Sequence, residues 1–186
     1  MNSFTDLRSG IATELGEAII GEACGPINSY APVPLVDGFL YIGSQKDASN
    51  TKWLDSMGIT ALCNVGHTCG RPTHMTSPST SKYAYMEVHA MDSPGYPILS
   101  HLKDVVPFLE RHRKQGKKVL ISCHQGINRS ATLAAAYLSA LTNTPMGEII
   151  NGMRAKRPVL FNDGFVSALM AWDRQPLRKA LHTNYN

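Results

Sequence analysis

Long apolar runs are missing from this chain of 186 residues: no stretch of 18 consecutive apolar positions occurs, so a membrane-spanning helix is not expected. The opening residues are polar (Asn2, Ser3, Thr5, Asp6, Arg8) and hold no secretory apolar segment. Position 2 is not glycine, and the closing residues 182–186 form no prenylation box, so no lipid anchor is expected either. Cysteine is scarce. Cys24, Cys63, Cys69 and Cys123 show no repeated C-x-x-C spacing, which argues against a disulfide scaffold and against a zinc ribbon. A reducing, cytoplasmic setting is therefore expected, with the nucleus also open, and free thiols survive there. A large excess of one charge is lacking too. Eighteen Lys and Arg against 14 Asp and Glu give a net charge of +4. That mild basic excess suits an anionic substrate and does not mark a nucleic-acid binder. Internal repeats and low-complexity tracts are absent.

What is present is an ordinary globular composition, 43% hydrophobic and 17% charged, with length enough for one domain and a short appendage. Residues 6–23 read as a helix with Leu7, Ile11, Leu15, Ala18 and Ile19 on one face. The Pro- and Gly-containing segment 24–34 reads as a linker. Residues 39–42 form a short strand closed by Gly43-Ser44, and residues 46–57 form a helix ended by Gly58. Strands are predicted at 59–65 and 83–89, on either side of a polar loop. Residues 99–114 are helical by their i, i+3, i+4 apolar spacing, with Pro107 bending or restarting the helix. A strand at 119–122 is followed by three helices, 129–142, 145–155 and 163–173. Strands alternating with helices, then helices alone, predict an α/β domain.

The segment Ser122-Cys123-His124-Gln125-Gly126-Ile127-Asn128-Arg129-Ser130 carries the chemistry. An apolar strand ends in a cysteine, a tight loop follows, and a helix begins at the arginine. Such a loop turns backbone N–H groups inward at an anion, with the helix dipole behind them. A helix N-terminus and a cationic neighbour favour the thiolate form of a cysteine, the nucleophilic form. Arg129 offers a planar fork of donors that matches two phosphoryl oxygens. Gly126 permits the left-handed turn a five-residue cradle needs. The Ser130 hydroxyl is placed to donate to the sulfur. His124, Gln125, Gly126, Ile127 and Asn128, with Arg129, are thus the expected phosphate-binding loop.

Cleaving a phosphate ester with a thiolate also needs a proton donor for the leaving oxygen. Asp92, in a loop after a strand, is a candidate. The Ser-Pro-Gly that follows it also suits an Asx turn, the structural alternative. Asp104, on an amphipathic helix, is the rival.

Cys123-x5-Arg129-Ser130 resembles the signature of cysteine-dependent protein tyrosine phosphatases, and most of the chain resembles their dual-specificity branch. Residues 34–43 are similar to that branch's opening strand, 57–65 to its Gly-Ile-Thr strand, and Arg157-Pro158-Val159-x3-Asp163-Gly164-Phe165 to its later Arg-Pro…Asn-x-x-Phe segment. The resemblance implies a central, mostly parallel twisted sheet of about five strands flanked by helices. It divides the chain into an N-terminal helical extension and linker (1–33), a phosphatase catalytic domain (34–175) and a C-terminal tail (176–186). It also implies hydrolysis of phosphate monoesters on phosphotyrosine and phosphoserine or phosphothreonine proteins. In that scheme Cys123 attacks, Arg129 binds, Asp92 donates the proton and Ser130 assists the leaving thiolate, with no metal or organic cofactor. Phosphorylated proteins are the implied partners. Two alternatives stay open: a non-protein substrate such as an RNA 5′-phosphate or a phosphoinositide, and a phosphoresidue-binding protein without turnover.

The family usually has His immediately before the cysteine, and this chain has Ser122, which predicts an altered thiolate balance or lower turnover. The loop holds no lysine of the kind phosphoinositide-directed members often place there. Cys63, His67, Cys69 and His74 match no trusted zinc spacing, and a protective disulfide from Cys63 or Cys69 to Cys123 is a further possibility. The basic run from Arg111 to Lys118 reads as a solvated helix end or a docking site for an acidic partner. Arg154, Lys156 and Arg157 read as lining the substrate approach or facing water.

Overall fold

The computed structural model describes residues 31–66 and 82–173. The expected helix at 6–23, His67, Cys69, His74 and the tail lie outside them. Five strands form one sheet: β1 (Val33–Val36), β2 (Leu40–Ser44), β3 (Ile59–Val65), β4 (Ala84–Val88) and β5 (Lys118–Cys123), in the order β1-β2-β5-β3-β4. β1 runs antiparallel to β2, and every other pairing is parallel. The mostly parallel sheet matches the expected fold class.

β5 occupies the centre because it is apolar on both faces. Val119, Ile121 and Cys123 join a large core beneath the helices, whereas Leu120 joins a smaller cluster with Tyr41, Leu54 and Leu62 on the other face. The sheet therefore buries two layers, each fully enclosed large side chain contributing about 1.5–3 kcal/mol. Helices α1 (Gln45–Ala48) and α2 (Thr51–Met57) follow β2, and their residues Ala48 and Leu54 join the smaller cluster. These replace the single helix expected at 46–57: Ser49 caps the first, and the Asn50 side chain accepts from Trp53 N–H to start the second. β1 starts within the last two residues of the expected linker, 24–34, and otherwise falls in the segment 34–43 that resembles the family's opening strand. Pro34 is tolerated because the strand lies on the sheet edge.

A 3₁₀ turn (Ile98–His101) leads into α3 (Leu102–Lys114), then α4 (Arg129–Thr142), α5 (Met146–Lys156) and α6 (Asp163–Trp172). α3 continues through the exposed Pro107, and the restart falls at Leu102 instead. α4 is buried from Arg129 to Leu141, with five alanines letting its neighbours approach closely. The basic run at the end of α3 is only partly a solvated face. His112 is buried, Arg113 forms a two-pronged ion pair with buried Glu110 at 2.8 and 2.7 Å, and Lys118 donates to Met57 O. Tyr137 on α4 donates its hydroxyl to the same Glu110. No helix among the described residues is long and apolar enough to cross a membrane.

Candidate active site

Cys123 ends the central strand and Arg129 opens the buried central helix, so the five residues between them must turn within one tight loop. The turn is made at Gly126 (φ +69°), where a Cβ would stand 2.4 Å from the carbonyl oxygen of Gly43. Only glycine satisfies both the backbone angle and that close approach.

The loop's carbonyls point away from its centre. Arg157 Nη2 donates to Gln125 O at 3.0 Å and Arg157 Nε to Gly126 O at 3.1 Å. Leu160 N–H donates to Ile127 O at 2.9 Å. In trans peptides the next N–H points opposite to each carbonyl, so the amides of Gly126, Ile127 and Asn128 turn inward. Arg157 also donates to Ala31 O at 2.8 Å and is 2% exposed. It neither lines the approach nor faces water, as the sequence suggests, but braces the loop from behind. Arg154 likewise binds the carbonyls of Val159 and Leu160, and Lys156 reaches Pro34 O. Leu160 itself takes φ +62°, a conformation that costs a non-glycine residue about 1–2 kcal/mol. Those bonds hold it there.

Asn128 precedes α4 at the capping position, yet its side chain makes no capping bond. The first amides of α4 are therefore left to an anion, with the helix dipole aligned on it. Ser130 Oγ donates to Cys123 Sγ at 3.3 Å, and both groups are buried. Arg129 is 8% exposed; its Nη1 donates to Ala90 O at 3.3 Å, while its Nε makes no hydrogen bond. A buried guanidinium N–H without an acceptor is costly unless the site serves to receive one.

Asp92 lies opposite, on the loop that follows β4. Its Oδ2 is 3.6 Å from Arg129 Nε, an ion pair too long for a hydrogen bond. Its Oδ1 accepts from Asn162 Nδ2 at 3.0 Å, and Asn128 Nδ2 lies 3.3 and 3.4 Å from its two oxygens. The structure thus brings Cys123, Arg129, Ser130, Asn128 and Asp92 into one site. His124 is exposed at its rim, and Gln125 and Ile127 contribute backbone. Asp104 stays on the exposed face of α3, away from it. Asn162 is the site residue that the sequence reading passes over. Its signal is the Asn-x-x-Phe segment, with Asn162 capping α6 through Phe165 N–H.

Ser122 pairs with Gly43 on β2 and Asn64 on β3, and its side chain lies on the face opposite Cys123. It is fully buried, and its hydroxyl finds no partner among the described residues. Cys63 sits in the core, where burial pushes its thiol up to about 12. A thiol so firmly protonated is a poor partner for disulfide exchange with Cys123, and both are free. Among the described residues no group of three or more His, Cys, Asp or Glu side chains is placed to hold a metal.

The arrangement can bind a tetrahedral dianion on inward amides and Arg129, present a sulfur nucleophile beneath it, and hold a carboxyl above. Comparisons with known proteins agree. The profile of the dual specificity phosphatase catalytic domain matches residues 40–175. The chain is 35% identical over 143 residues to human dual specificity protein phosphatase 26, covering 76% of this chain and 67% of that one. It is 31% identical over 140 residues to human dual specificity protein phosphatase 1, covering 75% of this chain and 36% of that one. Crystal structures of DUSP15 (24% identity, TM-score 0.72, covering 83% of this chain and 94% of that one) and human DUSP28 (24%, 0.68, 81% and 97%) share the fold. With a cysteine-to-arginine loop set on this sheet, the match of the family's catalytic domain along most of the chain makes the chain a member of the dual specificity phosphatases, a family of protein phosphatases.

Proposed function

We propose that the chain hydrolyses phosphate monoesters on phosphotyrosine and phosphoserine or phosphothreonine proteins through a cysteinyl-phosphate intermediate. The observation that carries this is the meeting of the Cys123 sulfur, the Ser130 hydroxyl and the unsatisfied Arg129 Nε at the start of α4. The phosphoryl group sits on the inward amides and the Arg129 fork. The Cys123 thiolate attacks phosphorus, a sulfur–phosphorus bond forms, and the ester oxygen leaves with the proton of the Asp92 carboxyl. Asp92, now a carboxylate, takes a proton from water as that water attacks the phosphorus of the cysteinyl-phosphate. The sulfur–phosphorus bond breaks, inorganic phosphate forms, and the Ser130 O–H stabilises the departing thiolate. Arg129 and the amides stabilise the charge on the equatorial oxygens in both steps.

A reducing, cytoplasmic location fits the reading, since the mechanism needs a free thiol at Cys123. The test is phosphate release from a peptide carrying both phosphothreonine and phosphotyrosine, with reductant present. Native protein releases phosphate, C123S releases none, and D92N slows release from the alkyl ester by about 10²–10⁴-fold. Undiminished release by C123S refutes the proposal. Tight binding of the peptide without release by the native protein favours a phosphoresidue-binding role instead.

A further inference from the structure

We infer that Asn128 is the positioning residue for the general acid: it orients the Asp92 carboxyl over the phosphate loop and leaves Oδ2 as the oxygen that carries the transferred proton. The inference rests on the mechanism above and deepens it.

An asparagine at the capping position normally turns its oxygen onto the helix's own amides. Asn128 does not. Its Oδ1 instead accepts from Phe161 N–H at 3.0 Å and Asn162 N–H at 3.2 Å. Two backbone donors on one atom require that atom to be oxygen, so the NH2 must face Asp92. Asn162 is oriented by the same logic, because its Oδ1 accepts from Phe165 N–H at 3.2 Å and its Nδ2 is thereby sent to Asp92. Asp92 Oδ1 then has two amide donors, from Asn162 at 3.0 Å and Asn128 at 3.3 Å. Those donors occupy the lone pairs of Oδ1 and favour its carbonyl-like role. Oδ2, with one long contact to Asn128 at 3.4 Å and Arg129 Nε 3.6 Å away, is the oxygen facing the phosphoryl site.

The loop that carries Asp92 has a matching seat. A Cβ on Gly164 would stand 2.1 Å from Pro94 O, so the loop backbone lies directly on the first turn of α6. Tyr96 fastens its other side, donating its hydroxyl to His89 O at 2.9 Å and contacting His101 Nε2 at 2.8 Å. Asn128 thus joins three segments: the phosphate loop by its backbone, residues 161–162 by its oxygen, and the acid by its nitrogen. Phosphoryl binding uses the backbone of residue 128 and is independent of its amide group, whereas proton donation is not.

The test compares native protein with N128A and N128D on two substrates, an aryl phosphate with an acidic leaving group and an alkyl phosphate with a basic one. N128D keeps the acceptor for the Phe161 and Asn162 amides and so guards against a folding failure, while replacing the donor to Asp92 with an acceptor. N128A loses about tenfold or more in kcat/KM on the alkyl phosphate and less than about threefold on the aryl phosphate, within the range general acids contribute; N128D, whose charge weakens binding of both esters, still loses about tenfold more on the alkyl than on the aryl one. Inhibition of N128A by inorganic tungstate, a tetrahedral dianion, stays within about threefold of native, whereas the added negative charge of N128D weakens it. Adding N128A to D92N causes no further loss. In N128A, equal losses on both substrates with weakened tungstate inhibition, or an additional loss in the D92N background, overturn the inference while leaving the phosphatase mechanism standing. If D92N itself shows no dependence on the leaving group, the acid assignment fails and this inference with it.

Discussion

Arg157 offers the sharpest quantitative test of how the phosphate loop is held. Its guanidinium is 2% exposed and donates to three carbonyls, at 3.1 Å to Gly126, 3.0 Å to Gln125 and 2.8 Å to Ala31. A hydrogen bond to a charged group contributes about 1.5–3 kcal/mol, and such contributions are not additive when one side chain makes all three. R157A removes the donor, strands the carbonyls and opens a cavity, so a loss of about 3–5 kcal/mol follows. At about 2–4 °C per kcal/mol for a domain of this size, the melting temperature falls by about 6–20 °C. R157K restores charge without the fork and recovers only part of the loss. The assay pairs urea denaturation, followed by tryptophan fluorescence, with tungstate inhibition of the folded fraction. Stability and tungstate affinity fall together, because the carbonyls that Arg157 holds outward are those whose partner amides point inward. An R157A melting point within about 2 °C of native, or native tungstate affinity at reduced stability, would refute this account of the loop.

Three other outcomes follow from single features. G126A forces a Cβ to within 2.4 Å of Gly43 O at a φ of +69°, so kcat/KM falls by about a hundredfold or more; a fully active variant would show that the loop needs no glycine. Burial lowers the proton affinity of both His101 and His112 below the ordinary value of 6.5. The unfolded chain then binds more protons near that pH, so stability is full above it and falls as pH drops toward the folded-state values; urea midpoints between about pH 7.5 and 5.5 record the slope, and H101Q/H112Q flattens it. Cys63, with its thiol at about 12 in a closed core, stays unreactive to an aromatic disulfide at pH 8 in a C24S/C69S/C123S background and reacts at once in urea; reaction in the folded state would contradict the packing.

That Cys123, Arg129 and Asp92 meet was legible because each signal is local: a strand, a loop and a helix start lie within twelve residues, and Asp92 lies in the loop after a strand. The bracing was not. Arg157 reads as one cation among three, and only the return of the chain after α5 carries it beneath the loop. Asn128 reads only as one member of the phosphate-binding loop, since its side-chain partners at 92, 161 and 162 meet it through the fold alone. The resemblance gives one opening strand over 34–43, where the chain makes two, β1 and β2; the residue pattern alone places only 39–42, because Pro34 counts against a central strand and is silent about an edge. The break at Ser49-Asn50, where the Asn50 side chain caps the second helix, is missed by a reading that follows the apolar spacing over 46–57.

The order β1-β2-β5-β3-β4 also sets which half of the site outlasts the other under stress. The sulfur rides on the innermost strand, whose amides exchange with solvent only when the whole sheet opens, whereas the Asp92 loop hangs from an outer strand. Mild denaturant therefore frays β4 and its loop first, and deuterium uptake there ahead of β5 records it. On the mechanism proposed above, the partly opened molecule keeps its grip on phosphate and its thiol but has lost its proton donor, so it turns over aryl esters after it has ceased to act on alkyl ones.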